Sequence, residues 1–559
     1  MKVIKRNGRT EELDISKIKK YTSEAVEGLD NVSLSELEVD AKIQFRDNIT
    51  TEEIQQTLIK TAVDKIDIDR PNWTFVAARL FLYDLYHKAT GFSGYNSLQD
   101  YLIKAEKEGR ILLGLKEKYD LEDLNAYIKP ERDMQFTYLG IKTLYDRYLI
   151  KDRNGKPIEL PQQMFMAISM FLAQNELDSQ GWAKKFYDII SKFEVMLATP
   201  TLSNARTTRH QLSSCYVGST PDNIEGIFDS YKEMALLSKF GGGIGWDWSK
   251  VRAMGGSIDG HKNAAGGIIP FLKVTNDIAV AVDQLGTRKG AIAVYIEPWH
   301  MDVSDFLDLR KNSGEERRRA HELFPALWIN DLFMQRVENN ERWTLFDPAD
   351  TPDLCDLYGD EFNKKYIEYE NHPDIAKSVV QAKELWKKIL TSYFESGMPF
   401  LCFKDSANRA NPNSHKGIIR SSNLCTEIFQ NTEPNYYQTK VIYTDGSYDL
   451  FDENSDITVD GGYTKKAKKI TALDRLNNKD IFIVEKGLKD GKTAVCNLAS
   501  INLSKINTPE DIARVTPIAI RMLDNVIDLN FYPHAKVKHT NIASRSIGLG
   551  VMGEAEMLA

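Results

Sequence analysis

Five cysteines in 559 residues is sparse. They stand at Cys215, Cys355, Cys402, Cys425 and Cys496, with no CxxC pair among them. That excludes a disulfide-framed secreted module and a zinc ribbon. The nine histidines form no HExxH, so no bound metal is expected in this chain. No apolar run reaches the ~18–20 residues of a membrane span. The opening MKVIKRNGRTEELDISK lacks the apolar core of a secretory signal and reads as folded domain, which makes the cytoplasm the expected location. A basic excess is missing too. The net charge is −8 and the isoelectric point near 5.8, which argues against direct DNA binding. Nucleotides stay open, because a few local groups and a helix N-terminus suffice to hold phosphate. There is no internal repeat and no low-complexity tract.

What is present is the composition of a globular protein, 42% hydrophobic and 27% charged, too long for one ordinary core. The first 90 or so residues predict a small α+β module. VIKRNGRTEEL reads as a hairpin, with Asn7-Gly8 suited to a tight primed turn. Asp14 can cap a helix, Thr50-x-x-Glu53 is a capping box, and Ile54, Leu58, Ala62 and Ile66 follow at helical spacing. A third helix is expected from about Trp73 to Lys88. Up to residue 208 the periodicity is mostly helical. From about 209, short strand candidates (GGSI, AIAVYIEP, WTLFDP, PFLCF, AVCNLASINLS) alternate with helical stretches. That alternation predicts an α/β architecture, with a barrel as one form of it. Residues 430–490 break the pattern, with turn signals at Asp445-Gly446 and Asp460-Gly461-Gly462, and read as an inserted β excursion.

Three cysteine segments carry the chemistry: SSCYVGS around Cys215, SSNLCTEI around Cys425 and AVCNLASINLS around Cys496. A single cysteine is more often core filler than catalyst. Asn423-x-Cys425-x-Glu427 differs. In an extended segment residues i and i+2 share a face, which would align an amide, a thiol and a carboxylate. That is a poor set for a core.

These segments, in this order, resemble the large subunit of ribonucleotide reductase. So do FGGGIGWDWSKVRAMGG and DQLGTRKGAIAVYIEPWH between the first and second of them. The resemblance runs from the first hairpin to the last residue, apart from the 430–490 insertion. It implies an ATP-cone over 1–91, a helical domain over 92–208 and an incomplete ten-stranded α/β barrel over 209–559, with the catalytic cysteine on an internal loop. It implies that Cys425 becomes a thiyl radical and takes the ribose 3′-hydrogen. Glu427 would take the 3′-hydroxyl proton and Asn423 would fix substrate hydroxyls. Cys215 and Cys496, 281 positions apart, would supply two electrons and end as a disulfide. Cys355 and Cys402 match no catalytic position.

Thr199, Ser213 and Ser214 sit where the family contacts substrate. Asp222, Arg252 and the loop from Gln284 to Arg288 match its specificity-effector site. Lys5, Arg6, Glu11, Thr51 and Lys88 match the nucleotide site of the cone, although Gln55 stands where a histidine is often found. The expected ligands are ribonucleoside diphosphates as substrates, with ATP and deoxynucleoside triphosphates as allosteric effectors. The expected partners are a small subunit carrying the radical-generating metal centre, a second copy of the large subunit, and thioredoxin or glutaredoxin as reductant. The segments that should follow GEAEMLA, with the tyrosine relay and the tail cysteines, are expected on a separate C-terminal fragment. Two other readings are a cobalamin-dependent reductase and a regulatory fragment that binds nucleotides without chemistry. GLGVMG at 548–553 fits G-x-G-x-x-G only superficially, and through the resemblance reads as a barrel strand.

Overall fold

The computed structural model describes residues 1–282, 289–443, 448–452, 456–459, 463–466 and 481–559, with side chains outside that description over 439–486. The chain divides into two compact units. One comprises Met1–Leu212, Leu498–Phe531 and Leu549–Ala559; the other comprises Ser213–Asn497 and Tyr532–Gly548.

The first unit opens with a three-stranded sheet. Lys2–Ile4 pairs antiparallel with Thr10–Glu12 and parallel with Ile49–Thr50. The hairpin is present, but its turn is not the primed one. Only Gly8 has positive φ, and the Gly8 N–H donates to the Lys5 carbonyl while Lys5 N–H donates to Arg9. A primed turn would need both Asn7 and Gly8 left-handed, so the loop is a residue longer and the glycine absorbs the reversal. Asp14 caps the helix Ile15–Val26, and Thr50 with Glu53 forms the complete capping box of Thr51–Val63. Trp73–Thr90 follows and ends on left-handed Gly91. Further along, every residue of the helix Pro161–Ala173 is buried, and its polar Gln162, Gln163 and Ser169 are all hydrogen-bonded. The long helix Pro509–Leu529 packs against it.

The second unit is built on a six-stranded sheet. Its order is Phe400–Phe403, Leu323–Ile329, Ile292–Ile296, Gly243–Asp247, Cys215–Ser219, Ala494–Cys496. The first five run parallel and the last is antiparallel. Alternation along each strand separates two faces. Tyr216, Ile244, Trp246, Ile292, Val294, Ile296, Leu327 and Ile329 join a large apolar core with Ile227, Met234 and Leu237 of the helix Ile224–Lys239. The opposite face carries Ala293, Tyr295, Ala326, Trp328 and Cys402, and is covered by Ile419 and Leu424 of an internal loop. The helices take one face, and the other is left for chemistry.

Several strand expectations move. GGSI forms no strand, only an isolated bridge at Ile258 beside another at the preceding Met254. Arg342–Phe346 pairs with Lys377–Gln381 outside the main sheet. Gly548–Met552 is a strand, but it lies beside Leu498–Asn502 in a sheet with Val195–Leu197 and not among the six. The reason is local: the chain leaves the main sheet at Asn497, whose carbonyl accepts from Gly548. Within 430–490, Tyr436–Tyr443 pairs with Tyr448–Asp452 and Ile481–Lys489, and Asp456–Val459 pairs with Tyr463–Lys466. The turn signals at Asp445-Gly446 and Asp460-Gly461-Gly462 lie outside the described residues. Among the described residues no helix is long and apolar enough to cross a membrane.

Candidate active site

The site begins with a strand register. Cys496 stands directly opposite Cys215 across the antiparallel pair Ala494–Cys496 and Cys215–Ser219. Opposed residues in such a ladder have Cα atoms roughly 4.5–5.5 Å apart, within the range that a disulfide spans. Both thiols are free and buried. The Cys215 thiol hydrogen-bonds with Cys425, which favours its ionisation; its bond with Cys496 and its burial outweigh this and push it well above the usual thiol range. Cys215 is therefore held as a protonated thiol, the form that can give up hydrogen.

Cys425 reaches the same place from the internal loop and is exposed. Its sulfur, the Cys215 sulfur and a Glu427 carboxylate oxygen all lie within 4.8 Å of one another. The expected extended segment is absent, however. Residues 424–425 form a turn: Thr426 N–H donates to the Asn423 carbonyl at 3.3 Å, and Thr426 itself is left-handed, φ 60°. Alternation along a strand is thus not what gathers the three groups. The Asn423 side chain does it. Its Oδ1 accepts from the N–H groups of Glu427 and Ile428, both at 3.1 Å, and its Nδ2 donates to the Glu427 carboxylate at 2.7 Å. Such an Asx arrangement replaces backbone pairing with a side chain.

Two glycines let the loop come this close. A Cβ on Gly245 would stand 1.9 Å from the Ser422 carbonyl and 2.6 Å from the Asn423 Cα. A Cβ on Gly243 would crowd the Cys215 sulfur at 3.2 Å and Leu424 at 3.3 Å. The GGGIG stretch therefore has a steric function in the site. Ser213 and Ser214 are here as well. Ser213 Oγ donates to Asn497 at 3.0 Å, and Ser214 Oγ lies 3.5 Å from the Cys496 sulfur. Thr199, in the first unit, opens the short helix Thr199–Asn204, with its hydroxyl 3.1 Å from that of Tyr148. Cys355 and Cys402 are buried. Sequence reasoning missed Tyr295, whose hydroxyl donates to the Asn423 carbonyl at 2.8 Å. A tyrosine in an apolar strand run gives no signal of that role.

The effector candidates are arranged differently. Asp222 and Arg252 are paired with each other: the Arg252 N–H and guanidinium both donate to the Asp222 carboxylate at 2.9–3.1 Å. Gln284 and Arg288 lie outside the described residues. In the N-terminal module Lys5 pairs with Glu11 at 3.2 Å. Arg6 and Lys88 converge on Asp84, at 2.9 and 2.8 Å, and Asp84 is 2% exposed. Thr51 is the first residue of its helix. Gln55 is buried and donates to the Leu80 carbonyl at 2.7 Å, a packing contact. Asp84 also went unnoticed in sequence; the i, i+4 spacing to Lys88 was its only mark.

An exposed thiol beside two opposed buried thiols, with an amide–carboxylate couple at the same point, is the equipment of an enzyme that reduces substrates through protein sulfur. Comparison with known proteins agrees. Residues 213–559 match the barrel domain of ribonucleotide reductase, 134–210 its all-alpha domain, and 1–88 the ATP cone domain. The chain belongs to the ribonucleotide reductase large-subunit family. It is 70% identical over 557 residues to the ribonucleoside-diphosphate reductase subunit alpha of Helicobacter pylori strain J99, covering all of this chain and 71% of that relative. It is 38% identical over 576 residues to the subunit alpha of Chlamydia trachomatis, and 36% over 572 to the large subunit of Arabidopsis thaliana, covering 50% and 65% of those proteins.

Proposed function

We propose that this chain is the catalytic subunit of a ribonucleoside-diphosphate reductase, making 2′-deoxyribonucleotides for DNA synthesis. The observation that carries the reading is the convergence of Cys215, Cys425, Cys496, Asn423 and Glu427 on the inner face of the six-stranded sheet. A thiyl radical on Cys425 takes the 3′-hydrogen, leaving a thiol and a carbon radical at C3′. Glu427 receives the 3′-hydroxyl proton, which requires hydrogen-bond reach. The 2′-hydroxyl leaves as water with a proton from the Cys215–Cys496 pair. The other thiol hydrogen of that pair goes to C2′, the pair supplies two electrons and closes as a disulfide, and Glu427 returns its proton to the 3′-oxygen. Cys425 then returns its hydrogen to C3′ and becomes a radical again. The balance is one ribonucleotide and two thiols to one deoxyribonucleotide, one water and one disulfide.

Ser213, Ser214 and Thr199 are assigned to substrate binding. Asp222, Arg252, Gln284 and Arg288 are assigned to the specificity effector. Lys5, Arg6, Glu11, Thr51 and Lys88 are assigned to the nucleotide of the cone, whose ligands are ATP and deoxynucleoside triphosphates. For phosphate to bind, Arg252 would leave Asp222, and Arg6 and Lys88 would leave Asp84. The reading carries with it a small subunit whose metal centre generates the radical, a second copy of this chain, thioredoxin or glutaredoxin as reductant, and the cytoplasm as location.

The test is conversion of CDP to dCDP by the purified chain with ATP, dithiothreitol and a small subunit, with and without a polypeptide carrying the remaining length of the relatives. Cys425→Ser should abolish turnover and leave the fold intact. Undiminished activity in that variant would overturn the reading. Turnover with cobalamin and no small subunit would replace the radical source and keep the thiol chemistry.

A further inference from the structure

Nothing in the thiol chemistry above explains what fixes the loop that carries it. The loop has a turn, from Asn423 to Thr426, and a side-chain clasp between Asn423 and Glu427. Both are internal to the loop. They shape it without fastening it to the sheet. A carbonyl oxygen has two lone pairs, and the one on Asn423 uses both. One accepts the Thr426 N–H that closes the turn, at 3.3 Å. The other accepts the phenol of Tyr295, at 2.8 Å. Tyr295 lies in the middle of the six-stranded sheet, on the strand Ile292–Ile296, and is fully buried. Its ring meets Trp328 of the next strand edge-on, with centroids 6.4 Å apart. Burial pushes its phenol far above the usual tyrosine range, so it stays a donor. The Asn423 backbone also rests on Gly245 of the neighbouring strand, where no Cβ could be tolerated. Asn423 is therefore held on two adjacent strands, by steric fit at Gly245 and by a hydrogen bond at Tyr295.

We infer that Tyr295 is a positioning residue for the radical cysteine: its hydroxyl pins the Asn423 carbonyl, and through the turn sets where Cys425 and Glu427 stand relative to Cys215. The inference rests on the thiyl reading of Cys425 for its catalytic consequence, but the pinning stands on geometry alone. Displacement of a reacting atom by about an ångström costs on the order of a hundredfold in rate. A loop that loses this bond but keeps its glycine seat, the stack of Phe429 on Trp328 and the Gln430 bond to the Val495 carbonyl should lose less.

The test is Tyr295→Phe, which keeps the ring and its contact with Trp328 and removes only the donor. Two measurements separate the pinning from the chemistry. Amide hydrogen exchange on the full chain should quicken at residues 423–428 by about tenfold and stay unchanged in the neighbouring strands. In the assembled enzyme kcat for CDP reduction should fall about tenfold, with KM within about twofold. A deuterium isotope effect from 3′-labelled CDP should grow, because hydrogen abstraction becomes slower relative to other steps. Unchanged exchange over 423–428 would overturn the pinning. Faster exchange with unchanged kcat would overturn its catalytic role. A loss carried by KM would assign Tyr295 to substrate binding and overturn the proposal as well. Should Cys425→Ser prove active, the thiyl reading fails, and the exchange result still decides whether Tyr295 holds the loop.

Discussion

Around Cys425 the chain fixes its chemistry with parts that cannot rearrange cheaply. A strand register sets Cys215 against Cys496, Gly245 admits the Asn423 backbone, and the Asn423 side chain clasps its own loop while its carbonyl takes the Tyr295 hydroxyl. The N-terminal module is prepared in the opposite way. Arg6 and Lys88, both candidates for phosphate, are occupied by Asp84, and Lys5 by Glu11. One region is preorganised for a reaction in which small displacements matter. The other holds cations on exchangeable carboxylates, which suits a site that must be empty in one state and filled in another.

The comparison breaks most severely at Gly245. Gly245→Ala places a methyl 1.9 Å from the Ser422 carbonyl, and the neighbour is backbone, so the loop must move. Overpacking of this kind costs about 1–3 kcal/mol, and the displaced thiol should cost on the order of a hundredfold or more in kcat. Turnover and thermal unfolding measured together check this. A variant with normal turnover would show that the loop is not held by the glycine.

Next comes Asp133, a buried carboxyl in the first unit that accepts from Tyr86 and Tyr95, both at 2.7 Å, and from Gln162 at 2.8 Å. Desolvation raises it to about 6, against the lowering effect of those three bonds. The folded group titrates above its unfolded counterpart, so folding takes up a proton between about pH 4 and 6. Stability contributed here is present at low pH and is lost as pH rises through 6. Relative to Asp133→Asn, the wild type should gain about 1–3 kcal/mol between pH 7 and pH 4.5. Urea unfolding at the two values measures it, and a constant difference would mean that the carboxyl is not held protonated. Tyr86 lies two residues from Asp84 on the same helix, so this titration also asks whether the helix that holds the cone's cations is anchored by a neutral group.

Much of this was legible in advance, and unevenly. Asn423, Cys425 and Glu427 stood out because an amide, a thiol and a carboxylate together make a poor core, Cys215 and Cys496 only through the family resemblance, and the caps at Asp14 and Thr50 were readable because their chemistry is local. The strand Leu323–Ile329 was not readable: Pro325 sits inside it, and proline argues against a central strand. It is tolerated beside Val294, its opposite number in a parallel pair. The geometry at Asn423 was misjudged for a physical reason. An i, i+2 pattern fits a strand, and only the tertiary contact with Gly245 and Tyr295 selects a turn instead. Asp84 and Tyr295 were invisible, because burial and partner are properties of the fold.

A smaller effect sharpens the cone's side of the comparison. Asp84→Asn removes the carboxylate that holds Arg6 and Lys88. If these cations are phosphate ligands, ATP should bind about three- to tenfold more tightly at low salt, with the gain shrinking as salt rises, since both side chains are partly exposed. Titration calorimetry on the full chain checks it. Unchanged affinity would mean that the pair is structural and that phosphate is held elsewhere.

The smallest effect is at Thr50, and it tests whether the two regions are energetically separate. Thr50 accepts from the Glu53 N–H at 3.0 Å, and Glu53 accepts from the Thr50 N–H at 2.8 Å. Thr50→Ala removes the first of these bonds and should cost about 1 kcal/mol, expressed as faster exchange in the helix Thr51–Val63. The thiol cluster owes nothing to this cap: its register, its glycine seat and its Asn423 clasp all lie within Ser213–Asn497. Basal turnover without a cone nucleotide should therefore stay within about twofold, because changes at sites without shared partners act independently. A parallel loss of turnover would show that the cone's local stability is felt at Cys425, and the contrast between a fixed centre and an exchangeable regulator would then have to be replaced by one cooperative unit.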